Sequence, residues 1–320
     1  MSKKPNAPWL TIAIPFYAGK GYLRRAIESV RSQSDPCWRL LVCDDAGPEN
    51  NIDRLVRSYG DERLCYHRNR TNLGMAANWN RCLDLAETDL VVLLHADDEL
   101  RSNYCALMRS AALGHPGAVG FFCGTTIIDE CGAERFSFPD AFKKVLVPKS
   151  SGDLVLRGRR ALSSLLRGNY IFCPTVCYRK SLLGRKRFRT SWRQVQDLDF
   201  FAHLLLDGHT LVGLAEAAYA YRRHGSNATA QHTDNLLRFD EERRLYDGLE
   251  RIARLRRWRS TAAVARKKTI VKLNLAYCSL VDGCQGNWRM AAQKIAYLWQ
   301  MISGELDLPR RRPRRLPRNV

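Results

Sequence analysis

Two adjacent carboxylates that follow a short apolar run are the side chains in this sequence best suited to chemistry. Asp97 and Asp98 come after residues 90–94, Leu-Val-Val-Leu-Leu, and the dipeptide His95-Ala96. Five aliphatic residues between polar neighbours indicate a strand buried on both faces of a parallel sheet. Ligands of open α/β sheets bind outside the carboxyl ends of the strands, so both acids fall where a ligand would lie. A divalent cation with a preference for oxygen, Mg²⁺ or Mn²⁺, is the simplest partner for two acids this close. The alternative is that both acids cap the following helix.

A second pair of acids and an aromatic segment end two earlier apolar runs. Asp44 and Asp45 follow residues 38–43, and Pro15-Phe16-Tyr17 follows residues 9–14. Because the carboxyl ends of parallel strands open onto one edge of a sheet, we expect these groups to lie beside Asp97. The set suits a nucleotide, with an aromatic ring against the base, a carboxylate accepting from base or ribose, and a metal on the diphosphate. Neither a dinucleotide fingerprint nor a P-loop is present. The alternative is that these acids are turn formers.

The elements that must position these groups alternate along the first hundred residues. Apolar runs and helical spacing predict four strands and three helices, namely strands at 9–14, 38–43, 63–67 and 90–94 and helices at 22–33, 51–59 and 75–86. This order predicts a mostly parallel α/β sheet joined by right-handed crossovers.

The middle of the chain continues the predicted sheet and carries a long polar segment. Residues 118–128 are predicted to form a further strand, and the polar segment 129–160 shows little periodicity, which is typical of a functional loop. A short helix at 162–168 follows, and the run 172–178 is expected to return to the sheet.

Basic residues are concentrated at the end of the chain. The formal net charge is +20, and residues 233–320 hold 20 Lys and Arg against 9 Asp and Glu. Three helix-length segments, 234–257, 262–280 and 288–302, precede an arginine- and proline-rich tail that like-charge repulsion is expected to keep unfolded. One hypothesis is a helical bundle packed on the α/β domain. The other is docking on an anionic membrane through the arginine tail and the aromatic side chains of Trp288, Tyr297 and Trp299.

The composition favours a cytoplasmic protein. No run reaches the roughly 18 apolar residues of a membrane span, and the N-terminal residues lack the apolar segment of a secretory signal. Eleven cysteines form an odd set and fit reduced thiols. We therefore expect a cytoplasmic location, with peripheral attachment to the inner face of the plasma membrane as an extension of the docking hypothesis.

Taken together, the motifs resemble those of family 2 nucleotide-sugar glycosyltransferases, which have the GT-A fold and invert the anomeric centre. The resemblance covers roughly residues 9–230. It rests on six stretches, namely Pro15-Phe16-Tyr17, Cys43-Asp44-Asp45-Ala46, Arg70-Thr71-Asn72-Leu73-Gly74 leading to Asn78-Trp79-Asn80, Leu93 to Asp98, Val195 to Phe201, and Tyr221-Arg222-Arg223-His224.

The resemblance implies a role for each matching residue. Asp197 would be the general base that activates an acceptor hydroxyl. Asp97 and Asp98 would hold Mn²⁺ or Mg²⁺ on the diphosphate, with His224 as a further candidate ligand. The residues implied to bind the nucleotide sugar are Pro15, Phe16, Tyr17, Asp44, Asp45, Asn72, Asn78 and Asp97.

Two positions depart from the family pattern. His95 stands where many members have an acid, so the metal site would rest on Asp97 and Asp98. Gln196 stands where the family usually has Glu, which leaves Asp197 as the candidate base.

The resemblance predicts an enzyme of several parts. These are a GT-A catalytic domain at 1–232, with nucleotide-sugar binding at about 9–128 and acceptor binding and catalysis at about 129–232, a helical region at 233–307, and a basic disordered tail at 308–320. The expected partners are a UDP- or dTDP-type sugar donor and a glycan or lipid-linked acceptor in cell-surface polysaccharide, O-antigen or capsule synthesis. The alternatives are a sugar-phosphate nucleotidyltransferase and a basic-tail protein that binds nucleic acid or membrane. No nucleic-acid motif is recognised, so no specific nucleic acid is expected.

Overall fold

The carboxyl-terminal edge of a parallel sheet brings the predicted site residues together. The computed structural model describes residues 7–225, residue 233 and residues 235–304. Its first part alternates strictly between strands and helices, in the order β1 (Leu10–Phe16), α1 (Lys20–Arg31), β2 (Trp38–Asp44), α2 (Ile52–Arg57), β3 (Leu64–Arg68), α3 (Met75–Leu85) and β4 (Leu90–Leu93). All seven elements lie within a few residues of the predicted bounds.

The second part completes the sheet with short strands. Its elements are β5 (Glu99–Leu100), α4 (Tyr104–Gly114), β6 (Ala118–Ile128), α5 (Phe138–Leu146), β7 (Leu154–Arg157), α6 (Gly158–Leu165), a 3₁₀ turn (Cys173–Thr175), β8 (Cys177–Arg179), α7 (Lys180–Leu183), α8 (Gln196–Leu206) and β9 (Thr210–Arg222). The strand order is β3-β2-β1-β4-β8-β6-β9-β5, and β7 pairs with β9. The strands β1 to β4 pair in parallel, whereas β8 runs antiparallel to both β4 and β6. The sheet is therefore mixed, with a parallel half that carries the nucleotide-like motifs.

Alternation along the central strands divides the core into two halves. Leu40 and Val42 of β2 pack with α1, α2 and α4 on one face of the sheet. Leu41 and Cys43 point to the opposite face and pack with α3, α6 and α8. Because successive side chains of a strand point to opposite faces, the apolar run 38–43 needs a hydrophobic layer on each side.

In the part of the chain that the structure describes, four helices follow the sheet, namely α9 (Leu237–Leu255), α10 (Arg259–Lys267), α11 (Thr269–Cys284) and α12 (Trp288–Ser303). Phe239 and Tyr246 of α9 belong to the same buried cluster as Val119 and Leu211 of the sheet. The C-terminal helices therefore share a core with the sheet, and the boundary at residues 232/233 stays a prediction. No helix among the described residues is long and apolar enough to cross a bilayer.

Several local predictions were wrong. The segment 129–160 is not irregular, because it contains α5 and β7. Only the last residues of the run 172–178 join the sheet, after a 3₁₀ turn. The predicted helix 262–280 is two helices, which meet at Lys268 with a left-handed φ of 50°. Residue 234, the predicted start of α9, and the tail 308–320 lie outside the described residues.

Candidate functional site

A cavity of about 1640 Å³ opens at the carboxyl ends of β1, β2 and β4. Most of the predicted site residues line it, namely Pro15, Phe16, Tyr17, Asp45, Asn72, Asn78, Asp97, Asp197 and His224. Asp44 and Asp98 are not among the lining residues. Helices α5 and α11 form much of the opposite side, so the cavity extends from the sheet edge to the C-terminal helices.

Asp45 organises the turn that follows β3. Its Oδ1 accepts hydrogen bonds from Asn69 Nδ2 and from the Leu73 amide, both at 2.9 Å, and its Oδ2 accepts from the Gly74 amide at 2.9 Å. Asn69 Nδ2 also donates to Asn78 Oδ1 at 2.9 Å. Asp45 is only 3% exposed. Its carboxylate therefore fixes one side of the cavity, at the place predicted for the nucleoside.

Asp44 faces the opposite way from Asp45. It accepts hydrogen bonds from the Tyr66 hydroxyl at 2.6 Å, from Arg68 Nη1 at 2.5 Å and from the Gly47 amide at 3.0 Å. Burial, and then the hydrogen bond to Asp44, raises the pKa of Tyr66 to about 12. Asp44 thus holds the loop after β2, and of the two acids Asp45 is the one on the cavity.

The aromatic segment after β1 lies against this loop. Phe16 is buried, whereas Tyr17 is 51% exposed and lines the cavity. A Cβ atom on Gly47 would lie 1.8 Å from the Tyr17 carbonyl oxygen, so only glycine allows the two backbones to approach. Tyr17 is the aromatic ring on this side that is open to a ligand.

Asp98 is held inside the protein by strand β9. Its Oδ2 accepts from the Tyr219 hydroxyl at 2.9 Å, and its Oδ1 accepts from the Arg222 amide at 2.7 Å. Burial, and then the charge of Asp97, raises the pKa of Asp98 well above its ordinary value. The buried Arg222 side chain pairs with Glu99 and donates from Nε to the Asp97 carbonyl oxygen at 2.7 Å. Strand β9 therefore fixes the turn that carries both acids.

Asp97 projects into the cavity beside two histidines. Its Oδ2 lies 3.0 Å from His224 Nε2, and the His224 ring stacks on Tyr22 with 5.2 Å between centroids. Burial works to raise the pKa of Asp97, but the hydrogen bond with His224 and the nearby His95 ring outweigh it, so the pKa lies below its ordinary value. The Asp97 carboxylate is therefore ionised at neutral pH.

His95 completes the cluster. Its ring stacks on Trp79 at 5.4 Å, and its ligand atom lies within 4.8 Å of those of Asp97 and Asp98. Burial lowers the pKa of His95, which keeps the imidazole neutral and able to bind a cation. Its buried Nε2 atom has no hydrogen-bond partner among the described residues. This donor set of carboxylate oxygen and imidazole nitrogen fits a divalent cation.

Asp197 stands in the first turn of α8 and lines the same cavity. Its Oδ1 accepts from the Leu198 amide at 2.7 Å, and Asn169 Nδ2 lies 3.4 Å from its Oδ2. Burial raises the pKa of Asp197, although the backbone bond and the charge of Lys143 oppose the shift. A raised pKa makes this carboxylate a stronger base than an exposed aspartate.

The family comparison bears on the remaining functional classes. Residues 11–142 match the model described as Glycosyl transferase family 2. Over these residues the chain is similar to family 2 glycosyltransferases. The match covers the sheet-edge motifs from β1 to Asp98 and ends before Asp197 and His224. It favours sugar transfer over nucleotidyl transfer and over nucleic-acid binding.

Curated relatives extend the likeness beyond residue 142. EpsE of Bacillus subtilis, which carries the name of a glycosyltransferase, is 26% identical over 235 residues, 68% of this chain and 74% of its own. TuaG of the same organism, named for teichuronic acid biosynthesis, is 24% identical over 217 residues, 67% of this chain and 79% of its own. WcaA of Escherichia coli, named for colanic acid biosynthesis, is 25% identical over 206 residues, 63% of this chain and 68% of its own.

Solved structures share the fold of this chain. Residues 1–349 of TarS from S. aureus in complex with UDP-GlcNAc align with a TM-score of 0.57 at 16% identity, over 75% of this chain and 66% of that one. The mannosyltransferase PcManGT of Pyrobaculum calidifontis in complex with GDP-Man and Mn²⁺ aligns with a TM-score of 0.57 at 16% identity, over 94% of this chain and 88% of that one. The fold is therefore GT-A, as the sequence predicts.

Sequence reasoning missed three residues in or beside the cavity. Arg223 pairs with Asp140 of α5 through Nη2 at 2.6 Å and Nε at 3.1 Å. Lys143, one turn further on, lies over the Phe172 ring at 4.4 Å. Burial lowers the pKa of Lys143 to about 8. The start of α5 could have revealed Asp140 and Lys143, because Ser137 at the N-cap and Pro139 in the first turn precede apolar residues at helical spacing.

Proposed function

We propose that this glycosyltransferase moves a sugar from a nucleotide-diphosphate sugar to an acceptor hydroxyl and inverts the anomeric centre. The observation that carries the proposal is one cavity that joins two kinds of carboxylate. Asp45 and Asp97 lie at the sheet edge, where the donor would bind, and Asp197 has a pKa raised by burial. A single displacement needs both, because the attacking hydroxyl must lose a proton while the diphosphate leaves.

Asp197 acts as the general base. Its carboxylate takes the proton of the acceptor hydroxyl while the oxygen forms a bond to the anomeric carbon and the bond to the diphosphate oxygen breaks. The Leu198 amide and Asn169 hold the carboxylate in place, which lowers the cost of orienting it for this transfer. The new glycosidic bond and the leaving diphosphate lie on opposite faces of the sugar, so the configuration inverts.

The donor's nucleoside binds between the loop after β1 and the turn after β3. Tyr17 supplies an exposed ring for the base, and Asp45 supplies an acceptor for a base N–H or a ribose hydroxyl. Asn72 and Asn78 line the same side. We propose a UDP- or dTDP-type donor. TarS has been solved with UDP-GlcNAc and PcManGT with GDP-Man, so GDP is included in the test.

Asp97, His95 and His224 would hold the divalent cation. A cation at this place would neutralise the charge that develops on the leaving diphosphate. The carboxylate ligand suits both Mn²⁺ and Mg²⁺. The Asp98 carboxylate already accepts two buried hydrogen bonds, and its contribution is to position Asp97.

The acceptor is a glycan or a lipid-linked saccharide of a polysaccharide pathway. The names of TuaG and WcaA support this assignment. Helix α12 supports attachment to the cytoplasmic face of an anionic membrane, because it exposes Trp288, Ile295, Trp299 and Ile302 at helical spacing. Tyr297 does not belong to this face, since its hydroxyl lies 3.3 Å from Asp240 Oδ1. If Trp299→Ser and wild type sediment equally with phosphatidylglycerol vesicles, this face does not bind membrane.

Calorimetric titration with UDP, dTDP and GDP tests the proposed function. We expect one nucleotide to bind in the presence of Mn²⁺ and to lose its affinity after addition of EDTA. The configuration of the product made from the matching sugar donor, read by NMR of the anomeric proton, then tests inversion. Asp97→Asn should abolish the metal-dependent part of the affinity, whereas the matched surface variant Asp53→Asn should retain it. The proposal would be contradicted if all three nucleotides bound equally well with and without metal. It would also be contradicted if the product kept the anomeric configuration of the donor.

A further inference from the structure

The cavity has an apolar side that the donor does not explain. Helices α5 and α11 contribute a set of aromatic and aliphatic side chains to it, which we call the α5–α11 surface: Phe138, Phe142, Leu146, Ile270, Leu273, Tyr277 and Val281. Several are open to solvent, with Phe138 58%, Phe142 41% and Leu273 56% exposed. Contiguous exposed apolar side chains of this kind are unusual on a monomer and mark a binding surface.

The two helices form one surface rather than two separate patches. The rings of Phe138 and Tyr277 stack with 5.8 Å between centroids and an interplanar angle of 28°. Leu273 lies one helical turn from Tyr277, and Phe142 lies one turn from Phe138, so the four side chains form a continuous strip.

The α5–α11 surface is continuous with the catalytic end of the cavity. Asp197 and this surface line the same space. Lys143, which follows Phe142 on α5, is held over the Phe172 ring at 4.4 Å, and its charge lowers the pKa of Asp197. Among the described residues, no carboxylate oxygen lies within the 4.0 Å ion-pair distance of the Lys143 ammonium group. An apolar strip, a cation outside any direct ion pair and a base therefore follow one another along the cavity.

We propose that the acceptor is a lipid-linked saccharide whose hydrocarbon chain lies along the α5–α11 surface and whose phosphate binds Lys143, with the saccharide at Asp197. This inference rests on the proposed function and names the acceptor class for the same site. The order of the three groups matches the order of chain, charge and sugar in such a molecule. A neutral glycan would leave the strip uncovered and would bring no anion to Lys143.

The test uses alkyl phosphates as probes, titrated calorimetrically below their critical micelle concentrations. Octyl, decyl and dodecyl phosphate should bind with one-to-one stoichiometry. Full burial of a methylene strengthens binding about fourfold, so a half-covered chain should gain about twofold per methylene. Equal affinity for the three chain lengths would overturn the proposal.

Leu273→Ser tests the surface, with Leu113→Ser as its matched control. Leu113 is also an exposed helical leucine, 76% exposed on α4, and it does not line the cavity. Dodecyl phosphate should bind about tenfold more weakly to Leu273→Ser, because roughly half of a leucine side chain's burial is removed, and equally well to Leu113→Ser. If both variants bind as wild type does, the chain lies elsewhere.

Lys143→Gln tests the charged end. The variant should bind dodecyl phosphate at least fivefold more weakly and dodecyl maltoside, which has a neutral head group, as tightly as wild type. Equal losses for both probes would overturn the phosphate assignment. Concentration-dependent dimerisation that Leu273→Ser abolishes would assign the surface to a second copy of this chain and would also overturn the proposal.

Nucleotide titration in the same variants separates this inference from the proposed function. Leu273→Ser should bind nucleotide with Mn²⁺ as wild type does. Chain-length dependence without any nucleotide binding would refute the donor site and support the alkyl-phosphate site. Nucleotide binding without chain-length dependence would refute the lipid-linked acceptor alone.

Discussion

Replacing Asp197 with asparagine removes the proposed base and changes little else in the cavity. An asparagine Oδ1 can still accept the hydrogen bond that the Leu198 amide donates at 2.7 Å. The hydrogen bond from Asn169 Nδ2 would break, and that bond is already long at 3.4 Å. The side chain keeps its shape and loses its basicity, so the variant separates catalysis from binding.

The expected loss of activity follows from the buried position of Asp197. General bases contribute about 10²–10⁴ to a rate, and a carboxylate whose pKa is raised towards the working pH belongs in the middle of that range or above. We expect kcat to fall about 10³-fold, which corresponds to roughly 4 kcal/mol of barrier. The dissociation constant of the nucleotide should stay within about threefold of wild type.

Stability should move in the opposite direction from activity. Because burial raises the folded-state pKa of Asp197, the folded protein holds this proton to a higher pH than the unfolded chain does. The charged carboxylate therefore costs stability above the folded pKa, and the cost disappears as the pH falls below the unfolded pKa. At pH 7 the urea midpoint of Asp197→Asn should be equal to that of wild type or higher.

The assay is the release of nucleoside diphosphate from the sugar donor that binds wild type. Asp199→Asn is the matched control, because Asp199 lies on the same helix, does not line the cavity and has Arg189 Nη1 and His203 Nδ1 at 3.4 Å. Its kcat should stay within about threefold of wild type. A kcat for Asp197→Asn within tenfold of wild type, or equal losses in both variants, would refute the assignment of the base.

Three further predictions concern the surroundings of the base and the donor site. Lys143→Gln should shift the acidic limb of the pH–rate profile upwards, since the positive charge of Lys143 lowers the pKa of Asp197; an unmoved limb in kcat would contradict this. Asp98→Ala should lower the free energy of unfolding by about 2–4 kcal/mol in urea titrations, because it leaves two buried hydrogen-bond donors without an acceptor. Unchanged stability would contradict this structural role and favour Asp98 as a metal ligand. Gly47→Ala should weaken nucleotide binding tenfold or more, because the new methyl group displaces Tyr17. If calorimetry gives the wild-type affinity for this variant, Tyr17 does not stack on the base of the nucleotide.

The parallel half of the sheet was predictable from local signals. Five- and six-residue apolar runs need burial on both faces, and each run is followed by an amphipathic helix, so the sequence predicts β1 to β4 and α1 to α3 within a few residues. The same logic places Asp45 and Asp97 on one edge. It could not tell that Asp44 faces Tyr66 and Arg68, because adjacent residues at a strand end differ only in the side to which they point.

The antiparallel half of the sheet could not be predicted from local signals, because its strands pair with residues that are remote in sequence. Strand β9 pairs with β6 through several register shifts and contains exposed positions between Leu214 and Ala218, so it has no clean period. Helix α5 is short and rich in lysine, and its apolar face is covered only in part. Because His95 replaces an acid of the family pattern, the sequence predicts a metal site that rests on Asp97 and Asp98 alone. In the structure the His95 ring lies close to Asp97 and is itself a candidate ligand.

Because hydrogen bonds from strand β9 fix the turn at Asp97, this turn reaches its final geometry late during synthesis. Tyr219 and Arg222 are separated from Asp98 by more than one hundred residues, and loops of this length close slowly compared with local helix formation. A nascent chain that has already built β1 to β4 still lacks the partners that aim Asp97 into the cavity. The protein can thus bind its donor only after β9 has left the ribosome and inserted between β6 and β5.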